Sequence, residues 1–202
     1  MKTVILGGLV LCVFVATGCL TPEVAPETTL QIEFPLTVGS HWTYATYDSV
    51  SQQRDTILVT VDSRSVGSSG DTVYRCTYRH RAFTDSSIVR VKDDTVLFAT
   101  DETPPVNFLL PFTSVDHWNL DQSSTVRILG VGTETVPGGR FVEAIHIRQQ
   151  SLLPNDKSIY EYWVAPGFGI VHFHDGTSLP AVNKIHKTNW VLLSCWIAPS
   201  GL

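Results

Sequence analysis

Ile88-Val-Arg-Val-Lys-Asp-Asp-Thr-Val-Leu-Phe-Ala99 is the stretch whose reading decides the fold. Two runs of alternating apolar residues flank Asp93-Asp94. With those two residues as the turn, Val91 falls opposite Val96 and Val89 opposite Phe98, so all four side chains share one face. Turn position and hydrophobic register therefore specify the same antiparallel hairpin.

The pattern extends in both directions. Toward the N-terminus, residues 42–47 read as a first strand. Residues 56–62 carry Ile57, Val59 and Val61 on one face, and residues 72–80 carry Tyr74, Cys76 and Tyr78 together. Toward the C-terminus, residues 125–135 and 140–149 flank the turn Val136-Pro-Gly-Gly139. Residues 158–164 and 170–174 flank Ala165-Pro-Gly-Phe-Gly169, and residues 182–196 read as one long closing strand. Short strands at regular spacing with Gly/Pro turns predict an all-β, antiparallel domain, and the short connections predict a meander rather than a Greek key.

One connection is different. Residues 104–119 hold Pro104, Pro105 and Pro111 but also Phe108, Leu109, Leu110, Phe112 and Trp118. That reads as a long irregular apolar loop with room for a helical turn. So much apolar surface should not stay wet, so the segment is expected to act as a lid or as a core plug lining a ligand site.

The chain has 202 residues, and its beginning sets its destination. Lys2 precedes an apolar run, residues 4–15, too short to span as a stop-transfer helix. Ala16, Thr17 and Gly18 then lead into Cys19, the layout of an export signal. The segment resembles the lipobox of bacterial lipoproteins, which implies cleavage before Cys19 and acylation of that cysteine. An ordinary secretory signal cut near Gly18 is the alternative. Residues 1–18 are thus read as a signal peptide and 19–33, with Pro22 and Pro26, as a lipidated flexible tether. Residues 34–202 are read as one β domain. The acyl chains are the expected membrane attachment, since two or three hold firmly where one holds marginally. Leu20 stands where an Asp would retain a lipoprotein at the inner membrane, so the outer membrane, facing the periplasm, is the expected location.

A formal net charge of −5 with no basic run gives nucleic acid no electrostatic footprint. With Cys12 removed and Cys19 acylated, Cys76 and Cys195 remain as a pair in an oxidising compartment. They are read either as a disulfide tying the third strand to the last or as two buried thiols.

Three stretches carry a family likeness. Phe34-Pro-Leu-Thr-Val-Gly-Ser-His-Trp-Thr-Tyr44 follows F-P-L-x-x-G-x-x-W-x-Y. Thr135-Val-Pro-Gly-Gly-Arg-Phe141 follows V-P-A-G-x-F, with Gly138 in place of Ala. Glu161-Tyr-Trp-Val-Ala-Pro-Gly-Phe-Gly-Ile-Val171 follows W-x-A-P-G-V-G-L-V. In this order the set resembles the TapB-like envelope lipoproteins, from about Phe34 to Lys187. The resemblance implies a single, strongly curved antiparallel sheet or half-barrel, similar in type to the LolA/LolB lipoprotein carriers, and no established catalysis. Pro137, Gly138, Gly139, Pro166, Gly167 and Gly169 then read as turn-forming residues, with Trp42 and Trp163 as sheet anchors.

Candidate chemistry is sparse. His172 and His174 share a strand face and could meet one ion with His186 or His41, but Val171 and Phe173 make the natural core face, which puts both imidazoles in solvent. Asp116-His117 with Ser114 lacks the strand–turn–helix context of a nucleophile. Glu143 shares a face with Phe141, Ile145 and Ile147, so a carboxylate on an apolar surface is one expectation, and an edge strand or an inward register of Val142 and Ala144 the other. Arg75 and Arg79, with Arg81 nearby, could meet an anionic headgroup or simply pair across the sheet. The expected function is non-catalytic, without metal or cofactor: a lipid-like apolar or amphipathic ligand on a concave sheet face. The alternative is a scaffolding lipoprotein that docks an envelope protein complex.

Overall fold

The computed structural model describes residues 34–199 except 69, 93–94, 100–105, 110–114, 120–122, 156, 177, 180–183 and 186–187. Ala16, Thr17, Gly18, Cys19 and the tether, together with Leu110, Phe112, Ser114 and His186, lie outside the described residues.

Among the described residues fourteen strands are formed: β1 (His41–Asp48), β2 (Arg54–Val66), β3 (Thr72–Arg79), β4 (Thr84–Lys92), β5 (Thr95–Ala99), β6 (Val106–Leu109), β7 (His117–Asn119), β8 (Ser124–Val136), β9 (Gly139–Ser151), β10 (Ile159–Ala165), β11 (Gly169–Asp175), β12 (Ser178–Leu179), β13 (Lys184–Ile185) and β14 (Thr188–Trp196). Twelve make one antiparallel sheet in the order β6-β5-β4-β3-β2-β1-β14-β11-β10-β9-β8-β7, and β12 pairs with β13 separately. The domain is all-β as expected. The meander holds within each half, β1 to β6 and β7 to β11, and β14 joins the halves by pairing with both β1 and β11.

Connectivity dictates curvature. β6 and β7 are the two ends of the sheet, yet only seven residues lie between Leu109 and His117. The eight Cα-to-Cα steps from Leu109 to His117 reach at most about 28 Å fully extended, whereas twelve flat strands would be about 53 Å across. The sheet must therefore curl until its edges approach, while β6 and β7 remain unpaired.

The hairpin around Asp93-Asp94 pairs in the expected register, with Val89 opposite Phe98 and Val91 opposite Val96. Val89 and Val96 are fully buried, alongside Ile57, Val61, Ile145, Ile147, Val164, Val171 and Leu192. The closing strand is shorter than expected: Lys184–Ile185 is diverted to β12, and only Thr188–Trp196 joins the main sheet. Within the supposed irregular connection of residues 104–119, two short edge strands form instead.

The three family-like stretches converge in space. The Trp42 indole donates to the Phe168 carbonyl at 2.7 Å, and the Tyr44 hydroxyl to the Ile170 carbonyl at 2.7 Å. The Phe141 ring meets Phe168 edge-on at 5.1 Å. Ala165-Pro-Gly-Phe168 is a tight turn closed by a 3.1 Å bond from Phe168 N–H to the Ala165 carbonyl, with Gly167 at φ +72° as a type II turn requires. Their common role is to fasten β1 to the β10–β11 turn and the start of β9.

Cys76 and Cys195 are both free thiols. The disulfide reading is therefore corrected: β2 and β1 lie between β3 and β14, so the two cysteines sit three strands apart, about 14 Å, beyond the reach of a bond. Burial is the main cause that pushes the Cys76 thiol up to about 12, with Asp62 adding to it, and burial raises Cys195 as well.

Candidate functional site

The site grows from the β8–β9 hairpin, whose strands run thirteen residues each. Its turn, Val136-Pro-Gly-Gly139, reaches past β10 and β11 to β14, where Gly138 N–H donates to the Leu192 carbonyl at 2.7 Å. Side chains anchor the same fold-back: His172 Nδ1 on β11 donates to Glu134 Oε1 on β8 at 3.0 Å, and His172 Nε2 meets the Asn189 side chain at 2.7 Å. Two bulges let β8 bend against β9, one beside Leu129 and one beside Thr133. At the second, Glu143 takes a left-handed φ of +59°. Of the expectations for Glu143, the carboxylate on an apolar surface is corrected and the inward register holds for Ala144 alone: the bulge turns Glu143 outward and exposed and seats Ala144 inward, while Val142 is exposed.

Beneath the bent hairpin, cross-strand register lines up rings. His146 on β9 pairs with Trp163 on β10, which pairs with His172 on β11. His146 stacks on Trp163 at 4.1 Å and 12°, and Trp163 on His172 at 4.3 Å and 17°. The row is a consequence of sheet geometry, since directly opposed side chains stand about 4.5–5.5 Å apart. On β8 the same row is occupied by Gly130, the partner of His146.

Beside this row lies a groove of about 240 Å³ lined by residues 129–134 of β8 with Ala144, His146 and Trp163. A Cβ added at Gly130 or at Gly132 would meet nothing within 4 Å, so both glycines open onto free space. The groove is amphipathic. Leu129 and Val131 are exposed at its rim, while Glu134 supplies a carboxylate. Behind it, Arg148 donates to Glu161 Oε1 through Nε at 2.8 Å and through Nη2 at 2.6 Å. His146 Nε2 lies 3.7 Å from Glu161 Oε2, too long for a hydrogen bond, and is otherwise without a partner though buried. Burial pushes the His146 imidazole below its usual value, against the opposing pull of Glu161.

The expected lid is divided. Phe108 and Leu109 lie on edge strand β6, and Trp118 lies half-buried against the core on β7 at the opposite end of the strand order. His172 and His174 do share a polar face, opposite Val171 and Phe173, but His172 is committed to the ring row and to Glu134. Among the described residues no group of three His, Cys, Asp or Glu is placed to hold a metal. Asp116 and His117 contact each other at 2.6 Å on an exposed surface, where the hydrogen bond to His117 lowers the Asp116 carboxyl. Both side chains are about three-quarters exposed, at 73% and 74%.

The sequence reading missed Gly130, Gly132, Glu134 and His146. One signal was present: two glycines one residue apart inside a strand mark a bulge or an open approach.

No family model and no curated protein matches the sequence. Solved structures do. One is a "putative lipoprotein" from Parabacteroides distasonis, with a TM-score of 0.53 at 14% identity, covering 82% of this chain and 99% of that one. Another is a "putative exported protein with YmcC-like fold" from Bacteroides fragilis, with a TM-score of 0.53 at 15% identity and the same coverage. At such identities the likeness is one of fold. The architecture is thus shared with a "putative lipoprotein" and a "putative exported protein" over nearly their whole length.

Proposed function

We propose that this chain is a lipid-anchored lipoprotein of the bacterial envelope whose β domain binds an amphipathic small ligand without catalysis. The observation that carries the reading is the groove under the β8–β9 hairpin, with Leu129 and Val131 at one side and Glu134 and His146 at another. Its volume falls below the about 300–1,000 Å³ usual for a whole drug-sized ligand. It therefore takes one part of a ligand, a ring or head group, with the remainder against the exposed hairpin. The Cys19 lipobox, the three-motif likeness to TapB-like lipoproteins and the fold shared with an exported protein support envelope attachment. On this reading the anchor lies in the outer membrane, facing the periplasm.

The test is native mass spectrometry of the domain from Thr21 onward, purified gently from its own periplasm, beside a solvent extract of the same sample. A discrete extra mass that extracts as a small amphiphile is the expected result. A bare mass would overturn ligand binding. The exposed Leu129, Val131 and Val142 on one hairpin favour the second reading, a scaffolding lipoprotein. On that reading a bare domain would carry a stoichiometric co-purifying protein that is lost in Val131→Asp.

A further inference from the structure

We propose that the groove receives a flat heteroaromatic ring, seated above Gly130 against the open face of His146 as the fourth member of the ring row. The proposal rests on the binding reading above and names the chemistry of its ligand.

Each of β9, β10 and β11 contributes one ring to the row, and the planes stay nearly parallel at 12° and 17°. Both faces of Trp163 are covered by its neighbours. One face of His146 is turned toward Trp163; the other is turned toward β8, where the register places Gly130 and where an added Cβ would touch nothing within 4 Å. The spacing between strands, about 4.8 Å, leaves one ring thickness there. A slot bounded by a parallel ring suits a plate better than a puckered saturated ring.

Access and polarity agree with this. β7 pairs with β8 only through Thr125–Arg127, so beyond Ile128 no described strand flanks the Gly130 side of β8. The ring enters from that edge. Glu134 lines the same groove, where its Oε1 is held by His172. A neutral or cationic nitrogen heterocycle is therefore favoured over an anionic one, because a second negative charge beside Glu134 and Glu161 would be repelled.

The experiment uses the folded domain with isotope-labelled histidine. Its ring resonances are followed while indole, adenine and, as a puckered control, methyl glucoside are added. The expected result is that indole or adenine shifts the His146 ring lines by ring current and the glucoside does not. Gly130→Phe should fill the slot from within, shift the His146 lines by itself and abolish the response. Because that variant adds bulk, His146→Leu is the second test. It keeps the groove but removes the stacking partner, and should weaken probe binding about tenfold, the value of one aromatic pair. His146 lines unmoved by both flat probes, or moved by glucoside alone, would overturn the proposal, as would undiminished affinity in His146→Leu. A co-purified ligand that lacks a flat ring but is lost in Gly130→Phe would overturn the ring while leaving the groove's binding role intact. A bare domain that ignores every probe would end both.

Discussion

Replacing Gly138 with alanine places a methyl carbon 2.9 Å from the Leu192 carbonyl oxygen, with the Leu193 carbonyl carbon at 3.1 Å. Those atoms are backbone of β14 at the centre of the sheet, so the relief must come from the hairpin. Lifting the turn by about half an ångström would lengthen the 2.7 Å bond from Gly138 N–H to that carbonyl. A lost hydrogen bond costs about 1 kcal/mol, and forcing a carbon into a packed contact about 1–3 kcal/mol. Glycine's greater freedom in the unfolded chain returns about 0.4–1 kcal/mol to the alanine variant. The net expectation is a destabilisation of about 2 kcal/mol. Gly130→Ala and Gly132→Ala are the matched controls, since a Cβ at either meets nothing. They should be neutral or stabilised by up to about 1 kcal/mol. Urea unfolding followed by tryptophan fluorescence, with m held common, measures all three. A loss in Gly138→Ala below about 0.5 kcal/mol, or one equal to the controls, would refute the fold-back contact.

Three further outcomes follow from the same structure. Leu192, fully buried beside Tyr44, should cost about 2–5 kcal/mol when cut to alanine, read as a lower urea midpoint. The His146 imidazole is depressed chiefly by burial, so the folded state binds its proton less well than the unfolded state does. Its contribution to stability is full above about pH 6.5 and declines as pH falls through the lowered folded value. The urea midpoint should therefore drop between pH 7.5 and 5 more in the wild type than in His146→Phe, and equal drops would refute this. With Cys76 buried and both thiols raised by burial and unpaired, neutral iodoacetamide should label Cys76 only in urea, and reduction should add no mass to the native domain.

Local pattern carried much of this protein on its own. The alternation around Asp93-Asp94 determined a register, because a one-residue slip would put Val89, Val91, Val96 and Phe98 on the wrong face. Pro166-Gly167 determined its turn, since the proline fixes one dihedral and the glycine admits a positive φ at the next. Neither depends on distant chain. What distant chain supplies was not legible. The central pairing of β1 with β14 joins residues about 150 apart, and no local period records it. Alternation put Glu143 on the apolar face; the bulge that turns it outward arises only when β8 and β9 bend together. The row Gly130–His146–Trp163–His172 needs four strands in a fixed register, so residues that look unrelated along the chain become neighbours. The sequence by itself determined an antiparallel β domain and its turns. The tertiary structure alone decided which faces meet and where the groove opens, because cross-strand contact depends on register and curvature, which are properties of the whole sheet.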